Sequence, residues 1–295
     1  VPRAAQKRLA VQNFGYWLQT YPRTKPYSPR SIQSYTEQAR LFQRWLDDNA
    51  LTLERVRKED IIDHLADMQS AGYAPCSISL RQVTIRRLFA YLLDGGRVKA
   101  NPSMDIPIRA AQNRSGEPYT QGEVAKMYHA CRDYQERAVF MLLLGTGIRR
   151  SEVARISRDD CNFENGTIRI LRKGGAYQYI KPEPAVIHAV EEALEFNDRL
   201  CPQKRGPDFV YRLVQRLAER ANIPGRHHPH RLRFTFAVAW CEAGGQESEL
   251  MVALGHTSMR MTNFYSKVGR ERRAMRSMQS IGIATLLLGM GKETA

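Results

Sequence analysis

Apolar residues recur along the front of the chain at helical spacing. Within residues 3–20 they fall at Leu9, Val11, Phe14, Trp17 and Leu18. From Ile32 through Tyr35, Ala39 and Phe42 to Leu46 the steps are 3, 4, 3 and 4, the period of one face of an α-helix. Ser28-Pro29 ahead of that run supplies an N-cap residue followed by proline at the first helical position. A third helix is predicted over Lys58–Ser70, stopped by Ala71-Gly72. A fourth starts near Ser77 and ends at Gly95-Gly96, with Ile85, Leu88, Phe89, Leu92 and Leu93 inward and Arg81, Arg86 and Arg87 on its other face. Residues 1–100 therefore read as a small all-helical unit. From Asn101 to Glu117 the periodicity lapses into Pro, Ser, Arg and Gly, the composition of an interdomain linker.

A second unit begins at Thr120, which forms a capping-box pattern with Glu123. An apolar helix over Ala138–Leu144 ends at Gly145-Thr146-Gly147, and a new helix opens in Ile148-Arg149-Arg150-Ser151-Glu152. The pattern then changes from period 3.6 to period 2. Asn165-Gly166 is a turn, Thr167–Arg172 alternates as a strand, Gly174-Gly175 is a second turn, and Tyr177–Lys181 is the returning strand. Helices follow over Val186–Leu200, Asp208–Ala221, Arg231–Ala243 and Glu247–Leu254, with Pro229 read as a helix interruption and Gly255 as a helix stop. Residues 266–280 are basic and polar, and an apolar segment from Ile281 to Met290 reads as a packing helix or as an arm that docks on a neighbouring subunit. The expected class is mainly α with a small β-sheet (α+β). Its expected parts are 1–100, a linker at 101–117, a main unit at 118–280 and a terminal segment at 281–295.

Charge narrows the partner. The 295 residues carry 45 Lys and Arg against 30 Asp and Glu, a formal net charge of +15. The excess is shared: residues 1–110 hold 17 basic against 10 acidic side chains, and residues 111–295 hold 28 against 20. Two basic halves suit a polyanion held between them better than a membrane surface. No apolar run approaches the ~18 residues needed to span a bilayer. Five scattered cysteines, odd in number and without Cys-x-x-Cys spacing, argue against a disulfide framework or a structural zinc site. Together with the lack of a signal peptide they fit the reducing cytoplasm.

The chemistry concentrates near the end of the chain. His230 and Arg233 are three apart and share a helix face. His256 follows Gly255, and Tyr265 lies nine residues further on. Arginine grips a phosphate through a fork of donors, histidine exchanges a proton near neutral pH, and tyrosine is an oxygen nucleophile once a base takes its proton. Arg149, three residues before Glu152, adds a second guanidinium near a helix start. Alone, a His-x-x-Arg pair is a solvated helix face, Arg149 with Glu152 is a surface ion pair, and Lys173 is a hairpin-tip lysine. The run Arg226-His227-His228-Pro229-His230 invites a metal reading, but no acidic or cysteine ligand adjoins it.

Taken together, Gly145-Thr146-Gly147-Ile148-Arg149-Arg150-Ser151-Glu152, Lys173, His230-Arg231-Leu232-Arg233, Leu254-Gly255-His256-Thr257-Ser258 and Thr262-Asn263-Phe264-Tyr265 resemble the boxes of the tyrosine recombinases, the integrase-type DNA strand-exchange enzymes. The resemblance is strong over about residues 118–270. The front helices match that family's core-binding domain in character only. One departure is Phe234, where many relatives carry a polar residue.

The resemblance implies a C-shaped clamp on double-stranded DNA, a dimer on one site and a tetramer on two, and strand cleavage through a 3′-phosphotyrosyl bond without metal, ATP or a small-molecule substrate. It assigns Tyr265 as nucleophile and His230 as base. Arg149 and Arg233 clamp the phosphate, His256 donates a hydrogen bond to it, Lys173 protonates the leaving 5′-oxygen, and Glu152 supports Arg149. Lys181 is the alternative to Lys173. Arg81, Arg86 and Arg87 are the expected phosphate contacts of the front unit. Alternative readings are a type IB topoisomerase, which relaxes supercoils without exchanging strands, a DNA-binding relative without catalysis, and a basic RNA-binding helical protein.

Overall fold

A computed structural model describes residues 13–22, 26–108, 117–172, 174–202, 206–256 and 259–281. The chain divides into two compact units, 1–114 and 115–295.

Among the described residues of the front unit, four α-helices surround one core: α1 (residues 13–20), α2 (Pro29–Asp48), α3 (Lys58–Ser70) and α4 (Pro75–Asp94). Ser28 caps α2, its hydroxyl accepting the Ser31 amide, and Pro29 takes the first turn, as the sequence predicts. Phe14, Leu18, Ala39, Phe42, Leu46, Ile61, Ile85, Leu88, Phe89 and Leu92 close the core. Leu93 does not join them and is 43 % exposed, because one residue past Leu92 the helix has rotated by ~100°.

Two further expectations change in this unit. Residues 101–108 do not behave as a linker. Ile106 enters the core, Gln82 donates to the carbonyls of Ile106 and Pro107, and Arg86 donates to those of Ser103, Met104 and Ile106. Nor does Arg81 face outward. It is 4 % exposed and is spent on Gln38 Oε1 at 2.9 Å and His64 Nε2 at 2.9 Å. Arg87 donates to the Tyr27 hydroxyl and lies 4.7 Å from the centroid of the Tyr35 ring. All three arginines thus hold their own unit together, which corrects their placement on a free outer face of α4.

The rear unit is built on α6 (Tyr134–Thr146), whose Ala138, Val139, Phe140, Leu142 and Leu143 are buried. Packed around it are α5 (Gln121–His129), the one-turn α7 (Arg150–Val153), α8 (Pro184–Glu195), α9 (Gly206–Arg220) and α10 (Pro229–Glu242). The Thr120–Glu123 capping box is present. The hairpin forms as β2 (Thr167–Leu171) and β3 (Tyr177–Ile180), paired antiparallel with Ile168 opposite Ile180 and Ile170 opposite Gln178. A two-residue strand, β1 (Cys161–Asn162), completes a sheet of order β1-β2-β3. Ile168 and Ile170 point into the core, so the alternation that marks β2 in the sequence is the alternation of its burial. Two more helices, α11 (Glu247–Leu254) and α12 (Met259–Ile281), follow. Pro229 does not interrupt α10 but occupies its first turn, with His228 as N-cap. The architecture is mainly helical with one small sheet.

Candidate active site

The C-terminal end of α11 organises the site. The last carbonyls of a helix have no partner within it and carry the negative end of its dipole. Here three successive carbonyls each receive a guanidinium. Arg172 Nη2 donates to Ala253 O at 2.7 Å, Arg233 Nη2 to Leu254 O at 2.8 Å, and Arg149 Nη2 to Gly255 O at 3.1 Å. Gly255 turns the chain away in the left-handed conformation, φ 61°. A Cβ there would meet the Arg172 guanidinium at 2.9 Å, so glycine serves both the turn and the close approach.

The three arginines come from separate parts of the sequence, and two of them share one buried carboxylate. Glu152, 3 % exposed, receives Arg149 Nη1 at 3.0 Å and Arg172 Nη1 at 2.8 Å. Its other role is local, since Oε2 also accepts the Arg149 amide at the start of α7. Arg233 is 2 % exposed and in addition donates to Gly147 O at 2.6 Å, tying the first motif to the second. Burial, then the nearby Arg149 charge, push the Arg233 pKa below the ordinary guanidinium range, though it stays charged at neutral pH. Arg172 is the residue that sequence reasoning missed. Nothing distinguishes it in the hairpin pattern except that it follows β2 and precedes Lys173.

Arg149, Arg233 and His230 line one pocket of about 240 Å³ with Ile148, Arg150, Ser151 and Pro229. The pocket sits at the starts of α7 and α10, where the positive end of the helix dipole adds to the two guanidiniums in favouring an anion. His230 is exposed at its mouth. Partial removal from water, then the charges of Arg233, His228 and Arg149, hold its imidazole below the ordinary value. The other two histidines of the run have separate employment. His227 lies between the Tyr119 hydroxyl and Ile223 O, and His228 Nδ1 accepts the Arg231 amide as the cap of α10. His227 and His228 are thus each held by the fold itself.

Tyr265 lies on α12, 7 % exposed. Its ring stacks on His256 with centroids 5.9 Å apart and leans on Phe234 at 5.5 Å. The departure at Phe234 is thus a packing surface for the tyrosine. Tyr265 is not among the residues that line the pocket, but its hydroxyl is close enough to Arg233, which does line it, to act on that charge. Lys173 lies outside the described residues. Lys181, the alternative, lines a different groove, beside Tyr179 and Trp240.

The position of Tyr265 depends on how closely α12 approaches α10. Gly269, one turn after Tyr265, lies against Cys241, and a Cβ on it would collide with the Cys241 Cβ and reach Val238 O at 3.1 Å. Gly269→Ala is expected to lift this turn of α12 and to slow any reaction of Tyr265 by about tenfold or more, since small misplacements of a reacting group cost that much. The Cys241→Gly, Gly269→Ala double variant, which removes the colliding Cβ, should recover part of the rate.

The family model described as "Phage integrase family" matches residues 118–272, and "Phage integrase, N-terminal SAM-like domain" matches residues 15–96. Tyrosine recombinase XerC of Actinobacillus pleuropneumoniae serotype 7 (strain AP76) is 24 % identical over 279 residues, covering 89 % of this chain and 90 % of the relative. Among solved structures, the XerH site-specific recombinase bound to a palindromic difH substrate superposes with a TM-score of 0.73 at 17 % identity, over 92 % of this chain and 95 % of that one. The lambda integrase tetramer bound to a Holliday junction gives 0.72 at 18 % identity, over 89 % and 77 %. The chain belongs to the phage integrase family. Its rear unit carries the integrase match and its front unit the SAM-like domain that precedes it.

Proposed function

We propose that this protein is a site-specific tyrosine recombinase that cuts and rejoins double-stranded DNA. The observation that carries the reading is the charge imbalance around α11: three guanidiniums converge on one helix end with Glu152 as the one carboxylate among their hydrogen-bonded partners in the described residues. A phosphodiester in the pocket supplies the missing negative charge, and a five-coordinate phosphorus supplies more. Preorganised donors at developing charge are the largest catalytic term in such chemistry.

In the proposed reaction the Tyr265 Oη attacks the scissile phosphorus while His230 takes its proton. The bond to the 5′-oxygen breaks, leaving a 3′-phosphotyrosyl link and a 5′-hydroxyl once Lys173 has given that oxygen a proton. A 5′-hydroxyl from a partner strand reverses the attack, so the energy of the broken bond is kept without ATP. Arg149 and Arg233 carry the charge that a metal carries in other phosphoryl-transfer sites, and the reaction as written uses none. The lambda integrase relative is a tetramer on a Holliday junction, and we assign this chain the same assembly on two sites. An apolar groove of about 810 Å³ beside Phe236, Trp240 and Val252 suits the apolar 281–290 segment of a neighbouring copy. We place the reaction in the cytoplasm, in keeping with five free cysteines. No helix among the described residues is long and apolar enough to cross a membrane.

The test is adduct formation on a nicked duplex whose site is first selected from a random pool with the Tyr265→Phe protein. Wild type should give a denaturant-resistant protein–DNA complex and Tyr265→Phe none, with equal affinity for the duplex. Equal adduct yield from both would end the assignment. The pH profile checks the base. A base works unprotonated, and the His230 pKa lies below the ordinary 6.5. The acidic limb of kcat/KM, which reports the free enzyme, is therefore expected below pH 6.5. A limb above that value points to a different base.

A further inference from the structure

His256 stands between two side chains that fix what its ring nitrogens do. Arg233 Nη2 lies 2.8 Å from Nε2, and Thr262 Oγ1 lies 2.9 Å from Nδ1. A guanidinium only donates, so Nε2 accepts. The ring proton then resides on Nδ1 and is donated to the Thr262 hydroxyl. Arg233, Thr262 and His256 are all buried, so none of these bonds is shared with bulk water. A protonated ring would set one N–H against another. Burial, then the charges of Arg233 and Arg149, keep His256 neutral, with its pKa down to about 4.

This tautomer is the wrong one for a hydrogen bond to phosphate, because the nitrogen that faces Arg233 has no proton to give. The partner on the far side removes the conflict. A histidine is ordinarily oriented by a carboxylate or a backbone carbonyl, which only accepts and so locks the proton on Nδ1. A hydroxyl both accepts and donates. When a phosphate oxygen takes over Arg233 Nη2, Nε2 loses its donor. A water admitted with the phosphate then gives Nε2 a proton, the Nδ1 proton passes to the Thr262 hydroxyl, and that hydroxyl's own proton returns to the hydroxide so formed, leaving the Thr262 O–H turned toward the vacated nitrogen. The ring carries one proton before and after.

We propose that Thr262 is a positioning residue for strand cleavage that acts through His256, its hydroxyl letting the imidazole be the acceptor for Arg233 before DNA binds and a donor to the phosphate afterwards. The proposal rests on the recombinase reading above. It accounts for a fully buried hydroxyl one turn ahead of the nucleophile on α12.

Two measurements test it. Long-range proton–nitrogen correlation spectra of protein labelled with ¹⁵N-histidine report the tautomer directly, the His256 signals being those lost in His256→Gln. The free protein should show the Nδ1–H form. Orthovanadate, added until the His230 resonances stop shifting, should convert it to the Nε2–H form. A ring already protonated at Nε2 in the free protein, or one that stays Nδ1–H with vanadate bound, overturns the proposal. In adduct formation, Thr262→Ser should stay within about threefold of wild type and Thr262→Val should be slower by about tenfold to hundredfold at unchanged duplex affinity, the cost of a lost buried hydrogen bond. A Thr262→Val protein as fast as wild type also overturns it. If wild type itself forms no adduct, the recombinase reading fails instead, and the spectra alone decide the role of Thr262.

Discussion

Arg233→Lys is expected to form the covalent adduct about a hundredfold to a thousandfold more slowly than wild type, the cost of removing one preorganised donor from a site of developing charge. The positive charge is kept, so the loss measures geometry. Arg233 holds Gly147 O, Leu254 O and His256 Nε2 at once, a planar fork that an ammonium group cannot reproduce. Without it the first motif, the end of α11 and the histidine on which Tyr265 stacks lose their common anchor. Affinity for duplex DNA should change little, because binding is spread over many phosphate contacts and this is one of them. The experiment is the rate of adduct formation on the nicked duplex beside a fluorescence-anisotropy titration of the intact one. A lysine variant within about threefold of wild type in rate would show that charge alone suffices and would remove the basis for the arginine cluster as the catalytic device.

The same cluster shows which parts of the molecule could be read from sequence. Helix α2 was fully legible, because its apolar steps, its Ser28 cap and Pro29 all pointed the same way. The two motif arginines were legible too, as short spacings around Gly147 and His230. Arg81 is buried although its residue type places it outside, and the signal for burial is present in its spacing. It lies four residues before Ile85 and seven before Leu88, a spacing that places it on the buried stripe of α4 rather than opposite it. What hid this was residue type, since an arginine is seldom buried; Gln38 and His64, far away in the chain, accept from it and make its burial tolerable.

Arg172 and Thr262 were hidden for a different reason. Each acts only through partners brought close by folding, Glu152 and Ala253 O for one and His256 for the other, and neither alters a local pattern. Helix α12 was not predicted because its buried positions, among them Thr262, Tyr265, Ser266 and Gly269, are mostly small or polar, and periodicity is read from large apolar residues. The strand β1 is two residues long, too short to show an alternation.

Glu152→Ala should be the most destabilising single change in the rear unit, by about 3–5 kcal/mol, the usual cost of removing one partner of a buried ion pair. Glu152 is 3 % and Arg172 8 % exposed, so the variant leaves the Arg172 charge buried against one carbonyl and a glutamine, with Arg149 beside it and no carboxylate between them. Hydrogen exchange of the α6 core amides measures the loss without assuming that the two units of the chain unfold together. The decisive comparison is the double variant Glu152→Leu, Arg172→Met. Replacing a buried pair by apolar residues of similar volume is often neutral or better for stability, so exchange protection should return to within about 1 kcal/mol of wild type. Adduct formation should not return with it, because Arg149 has lost the carboxylate that holds it over the pocket. Recovery of both would show that Glu152 balances charge and has no part in aiming Arg149. Recovery of neither would show that its hydrogen bond to the Arg149 amide at the start of α7 matters more than its charge.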